Sequence, residues 1–248
     1  MRRPLVVLTT ATGSLSGLAD VLRKDGLQVR ETPLLDFAPP PDWSRVDAAI
    51  LRLPEFCAVA FTSPRAAQAF AHRAAALRVT APLGLDAWAT GSASAAPLHN
   101  LFGDVRLPSS LATMDAGAGS ILATAMLAGR VGSPVLFPCG DGRRDDLPAV
   151  LKASGIAVEE VVCYRSVLAG DDVARQAMLG ADILLVASPK VASLAARVIP
   201  RDERPALVAI GPTTAAAARA AGWAPAGVAN RPTVSAVAAR IKTLAKPR

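Results

Sequence analysis

The chain has 248 residues, room for one large domain or two of ordinary size, and its 52% hydrophobic content excludes global disorder. Aromatics make up only 4%, with Tyr164 the single tyrosine, so the cores must be built mainly from Ala, Val and Leu. A net charge of +7, carried by 22 Arg and only 5 Lys, reads either as a genome that favours Arg or as a binder of anions, but without a basic run interleaved with aromatics it excludes nucleic acid.

In chain order, Leu5–Leu8 is a first strand, and Leu15–Lys24 a helix with Leu15, Leu18, Ala19 and Leu22 on one face. A second strand leads to Leu34, and Pro39-Pro40-Pro41 breaks the chain. Val59-Ala60-Phe61 is a strand that runs into Ser63-Pro64-Arg65, a hydroxyl at a helix N-cap followed by proline at the first helical position. Trp88-Ala89-Thr90 leads to a second such turn, Gly91 to Ser94, and Pro108-Ser109 precedes a further helical stretch. The strand from Pro134 ends in Gly140-Asp141-Gly142-Arg143-Arg144, which has neither P-loop spacing nor a GxGxxG pattern, so nucleotide binding is not expected. Val161-Val162-Cys163-Tyr164-Arg165 is a strand, and Gly170-Asp171-Asp172 a second break. Leu184-Leu185-Val186 then leads to Ser188-Pro189 and a helix over Val191–Val198, and Val208-Ala209-Ile210 to Gly211-Pro212-Thr213-Thr214 and a helix over Ala215–Ala221. Pro232-Thr233 precedes the last helix.

These blocks recur. Gly13 and Gly142, Leu18 and Leu147, Leu22 and Leu151, and Gly26 and Gly155 each stand 129 residues apart. Ser63 and Ser188 differ by 125, Gly91 and Gly211 by 120, and Pro108 and Pro232 by 124. The order is the same in both copies, which identifies a duplicated unit of alternating strands and helices and predicts parallel sheets with crossover helices. Breaks after both first blocks predict an exchange: residues 1–36 pack with 172–248, residues 40–163 form the other domain, and 37–39 and 164–171 link them.

The candidate chemistry lies at strand-to-helix turns. Ser63, Ser94, Ser188, Thr213 and Thr214 are either ordinary helix-cap residues or parts of turns whose free N–H groups suit carboxylates. Arg65 and Arg144 are the nearby guanidinium groups. Tyr164 is either an aromatic filling a hinge or a proton donor to a cleft. Neither His72 nor His99 is expected to bind metal or act as a base, and no metal site is predicted. Cys57, Cys139 and Cys163 are odd in number with no CxxC, so free thiols in a reducing, cytoplasmic compartment are expected. The apolar runs are strand-sized, well below the ~20 residues of a membrane span.

Five markers together resemble the uroporphyrinogen-III synthase family over nearly the whole chain. They are Phe61-Thr62-Ser63-Pro64-Arg65, Ala187-Ser188-Pro189, Ile210-Gly211-Pro212-Thr213-Thr214, Asn230-Arg231-Pro232-Thr233, and Gly142-Arg143-Arg144 running on to Val162-Cys163-Tyr164-Arg165. The resemblance implies two α/β domains on a two-strand linker with the active-site cleft between them. It also implies a cofactor-free lyase acting as a cytoplasmic monomer. Its substrate would be hydroxymethylbilane, a linear tetrapyrrole with eight carboxylates, cyclised with inversion of ring D, and contact with hydroxymethylbilane synthase would be transient. Tyr164 would then assist departure of the hydroxyl, with Ser63, Arg65, Ser94, Arg144, Ser188, Thr213 and Thr214 holding substrate. A family strand end that is commonly Thr-Arg-Pro is here Thr9-Thr10-Ala11, and Arg-Gly is replaced by Cys139-Gly140, so two expected arginines are absent. A non-catalytic sensor of small anions or tetrapyrroles is the alternative.

Overall fold

A computed structural model describes residues 2–109 and 117–245, so part of the helical stretch expected after Ser109 lies outside the described residues. The chain divides into two compact units, Met1–Asp36 with Val167–Arg248, and Phe37–Ser166.

The first unit holds strands β1 (Leu5–Leu8) and β2 (Gln28–Glu31), joined by helix α1 (Leu18–Lys24). The expected helix from Leu15 begins three residues late. Gly13, Leu15 and Gly17 all take positive φ, which is turn geometry, and Leu15 still packs against the same apolar face as Leu18 and Leu22.

In unit 2 or at its edges lie β3 (Leu35–Ala38), α2 (Ser44–Leu51), β4 (Ala58–Phe61), α3 (Pro64–Ala76), β5 (Asp86–Ala89), α4 (Ser92–Ala95), α5 (His99–Phe102), β6 (Val105–Arg106), α6 (Ala118–Ala128), β7 (Val135–Gly140), α7 (Asp146–Ala153) and β8 (Val158–Leu168). Unit 1 resumes with α8 (Asp171–Met178), β9 (Ile183–Val186), α9 (Pro189–Val198), β10 (Ala206–Ala209), α10 (Pro212–Ala220), β11 (Gly227–Val228) and α11 (Val234–Ala245). The two segments expected as linkers are thus largely strand: 37–39 overlaps β3, and 164–171 continues β8 to Leu168 before α8 begins.

The strand orders are β11-β10-β9-β1-β2 and β6-β5-β4-β7-β8-β3. Matching the repeats, with β9 as β4, β10 as β5, β11 as β6, β1 as β7 and β2 as β8, makes the two orders identical apart from the edge strand β3. β1 pairs parallel with β2 and β9, β10 with β9 and β11, β4 with β5 and β7, β5 with β6, and β7 with β8.

Both faces of each sheet are covered, which is why the central strands read as unbroken apolar runs. Val6, Leu8, Ile183 and Leu185 face α1 and α11, whereas Val7, Leu184 and Val186 face α8, α9 and α10. In unit 2, Val59, Phe61 and Leu136 face α2 and α3, and Ala58, Ala60, Val135 and Phe137 face α6 and α7. Period-two alternation within these runs therefore assigns each side chain to one of two cores.

Candidate functional site

In unit 2 the chain runs from β4 through β5 to β6 in one direction, and β7 then pairs on the other flank of β4. The helices that follow β4 and β7 pack on opposite faces, so the turns between them leave a crevice at the carboxyl ends of the two strands. Such a reversal point is where open parallel sheets bind ligands. A cavity of about 280 Å³ opens there, lined by Thr62 and Ser63 after β4, Gly119 of α6, Gly140 at the end of β7, Arg143 and Arg144 after it, and Tyr164 of β8.

Tyr164 is positioned by an irregularity in the sheet. Cys139 pairs with Val162, but Gly140 pairs with Tyr164, so β8 carries one extra residue at Cys163. The Asp141 N–H donates to the Tyr164 carbonyl at 3.1 Å. The N–H and hydroxyl of Ser166 both donate to the Asp141 carboxylate, at 2.9 and 2.8 Å. The phenol ring then lies directly on Gly140, where an added Cβ would come within 2.7 Å of Cε2 and of the phenol oxygen. Glycine is required here for close approach, since the backbone of Gly140 is not in the left-handed region. The Tyr164 hydroxyl faces Ser63 Oγ at 3.3 Å, a long contact that leaves both groups able to bond a third partner. Ser63 is also the N-cap of α3, where its Oγ accepts from the Ala66 N–H at 3.4 Å.

The two arginines after β7 differ. Arg143 is bound to Glu160, which also takes Lys152 at 3.1 Å, and reaches Asp145 at 3.3 Å. Arg144 lines the cavity, is exposed, and makes no ion pair among the described residues. The starts of α3, α6 and α7 approach the same cavity and bring positive helix ends to it, with the Asp146 carboxylate at the start of α7 also in its lining.

Tyr164 also borders a second cavity of about 430 Å³ along α3. There Arg65 lies flat over Phe37, 3.5 Å from guanidinium carbon to ring centroid, and Phe37 meets Tyr164 edge-on at 5.7 Å. Arg73, farther along, is committed to Asp47 through two bonds of 2.6 Å, and this guanidinium holds the Asp47 carboxyl below the usual carboxylate range.

The other expected residues are placed differently. Ser94 is buried at the third position of α4, and Thr214 is buried at the corresponding position of α10, while Thr213 is exposed. Neither α4 nor α10 receives a side-chain cap: Gly91 and Gly211 occupy the cap positions. Ser188 caps α9, accepting from the Val191 N–H at 3.1 Å. Thr9, at the end of β1, turns its hydroxyl to the Leu185 carbonyl at 2.7 Å. In unit 2, Tyr164 shares one cavity with Ser63 and Arg144 and the other with Arg65, Ser94 lines neither, and Ser188, Thr213 and Thr214 belong to unit 1. Sequence reasoning did not find Gly140 or Asp141 as positioning residues, because the extra residue in β8 that opposes them leaves no compositional trace. No group of three or more His, Cys, Asp or Glu suited to a metal occurs among the described residues, and none of their helices is long and apolar enough to cross a membrane.

The family model described as uroporphyrinogen-III synthase HemD matches residues 16–239. The structure is similar to that of a mutant uroporphyrinogen III synthase from the extremely thermophilic bacterium Thermus thermophilus. The TM-score is 0.62 at 15% identity, covering 97% of this chain and 98% of that one. It is also similar to uroporphyrinogen-III synthetase from Helicobacter pylori, with a TM-score of 0.60 at 19% identity, covering 98% and 100%. These likenesses concern the fold. Comparison with functionally curated proteins gives no match. Because the family model spans nearly the whole length, this chain belongs to the uroporphyrinogen-III synthase family.

Proposed function

We propose that the protein cyclises hydroxymethylbilane to uroporphyrinogen III, inverting ring D. The observation that supports this most is the phenol of Tyr164, seated on Gly140 against Ser63 in a cavity with an unpaired guanidinium and three helix N-termini. An octacarboxylate needs such donors, and the chemistry needs little more than one proton donor.

In this reading the Tyr164 hydroxyl donates to the terminal hydroxyl of the bilane as the carbon–oxygen bond breaks. Water leaves, and the pyrrole nitrogen lone pair supplies the electrons that form the azafulvene cation. The electrophilic carbon bonds to the already substituted position of ring D, giving a spiro intermediate. That intermediate fragments and recloses at the other position, and loss of a proton restores the aromatic pyrrole and returns the proton to the phenolate. The net change is loss of one water, the reaction of a hydro-lyase. Ser63 orients the phenol, and Arg144 and Arg65 hold carboxylates. Ser94, Ser188, Thr213 and Thr214 serve substrate through the turns they occupy, and no metal or nucleotide takes part. Unassisted closure gives the other isomer, so control of chain conformation is the larger part of catalysis. The protein acts as a cytoplasmic monomer, in passing contact with hydroxymethylbilane synthase; the exposed free thiol of Cys57 fits that reducing compartment.

The decisive measurement supplies freshly generated hydroxymethylbilane and resolves the isomers formed. Type-III product above the spontaneous type-I background is expected, unchanged by a chelator. Binding without type-III product would leave a tetrapyrrole-binding sensor, and activity lost to chelation and restored by a divalent ion would overturn the cofactor-free reading.

A further inference from the structure

The cavity along α3 is separate from the crevice that holds Ser63 and Arg144, and Tyr164 lies on the boundary of both. Its size, about 430 Å³, is that of a small-molecule site, which typically spans about 300–1,000 Å³. One wall is aromatic, formed by Phe37, Trp43 and Tyr164. Helix α3 also lines the cavity, presenting Arg65 and Gln68 one turn apart, both exposed.

The two guanidinium groups in the cavity are not equivalent. Arg73 is saturated by Asp47 and lies 5.3 Å from the Trp43 ring centroid, so its charge is already answered. Arg65 makes no ion pair among the described residues. Its face is held by Phe37, and stacking of that kind occupies the π face and not the N–H edge. A stacked guanidinium with free edges is a preorganised fork for a carboxylate. The chemistry complementary to this arrangement is a flat, electron-rich ring with an acidic arm at its edge. The ring would lie against the aromatic wall and the arm would reach Arg65, with the Gln68 amide as a second donor.

We propose that this cavity is a binding subsite for one carboxylated pyrrole ring, through which the substrate is threaded past Tyr164. The inference rests on the synthase reading for its substrate, but its geometry is independent of the crevice. A bilane anchored by one ring here has its neighbouring ring delivered across the boundary residue, where the phenol can reach it.

The test uses a monopyrrole bearing one acetate and one propionate arm, titrated into the full chain and followed by the indole N–H signals of its three tryptophans. Trp43 lines the cavity, while Trp88 and Trp223 are buried in the cores. The Trp43 signal, assigned through Trp43→Phe, is expected to shift saturably while the other two stay fixed. Arg65→Gln should weaken the apparent affinity about tenfold or more, the loss expected for a charge-assisted bond, and Arg65→Lys should recover part of it. With the bilane, Arg65→Gln should raise KM by a similar factor and leave kcat largely intact. A Trp43 signal that does not move, a shift equal in all three tryptophans, or an unchanged KM in Arg65→Gln would each overturn the subsite. The isomer assay reads the synthase reaction separately. A chain that makes type-III product with an unmoved Trp43 has lost only the subsite, and one that shifts Trp43 but makes no type-III product has lost only the synthase reading.

Discussion

The Tyr164 ring lies on the bare α-carbon of Gly140, and under the proposed reaction each residue gives a distinct expectation. Tyr164→Phe keeps the ring and its packing and removes only the hydroxyl. General acid assistance is worth about 10²–10⁴-fold, and because the azafulvene also forms without enzyme, a fall near 10² is expected, with the melting temperature little changed. An isomer-resolved turnover within about twofold of the parent would retire Tyr164 as the acid. Gly140→Ala leaves every polar group in place but pushes the ring aside. A displacement of about 1 Å can cost 10²-fold, so its turnover should fall comparably, and the double variant should be no slower than the slower single variant. Additive losses in that cycle would show that Gly140 acts elsewhere. Tyr164 stood out in the sequence as the sole phenol, although the strand expected to end beside it continues to Leu168. Its partner was not, because close approach of a ring to a backbone depends on the sheet register.

Among the elements, central strands and their order within each repeat were readable because apolar runs of four to six residues, bounded by Gly, Ser and Pro, recur at nearly constant offsets. The start of α1 was not, since the apolar spacing of Leu15 continues a helical pattern that the glycines on either side interrupt. Caps were readable where serine precedes proline. Ser188→Ala should therefore cost about 1 kcal/mol, seen in thermal or denaturant unfolding. Ser63→Ala removes a longer and weaker cap bond, so it should cost less stability and more turnover, because the same oxygen meets Tyr164. In the β7–β8 pair, burial pushes the Cys139 thiol from its ordinary 9.0 up to about 11, and burial raises Cys163 as well. The folded state then keeps a proton that the unfolded state releases above about pH 9. This contribution to stability is complete below pH 9 and is lost as pH rises through about 11. Melting curves between about pH 8 and 11 should show a decline that is shallower in Cys139→Ala. Native thiol labelling should modify Cys57 and spare the two buried cysteines.

At the scale of the molecule, the charge balance and the uncommitted guanidinium groups predict that KM for the bilane rises with ionic strength, since attraction between exposed charges is screened. Doubling of the unit was legible because the repeats keep their order. The exchange of the first block was expected from the breaks at Pro39–Pro41 and Gly170–Asp172, whereas the long-range register that seats β1 beside β9, such as Val6 with Ile183, has no local signal in the sequence. The matched strand orders carry a further consequence. Unit 1 enters its sheet at β1 and unit 2 enters the same sheet pattern at β4, so the two units are circular permutants of each other. The existing chain must cross between them twice, at Asp36 to Phe37 and at Ser166 to Val167. In unit 1, Lys242 near the end of α11 pairs with Asp25 at 2.9 Å, and Arg2 with Asp182 at 2.5 Å, so both of these residues are held within the same unit. A gene that begins at Val167, joins residue 248 to residue 1 through a flexible linker and ends at Ser166 would encode the two units as successive uninterrupted segments, with a single crossing. Its first segment, made alone, should unfold cooperatively, whereas residues 167–248 without 1–36 lack β1 and β2, two of the five strands of the sheet, and should not.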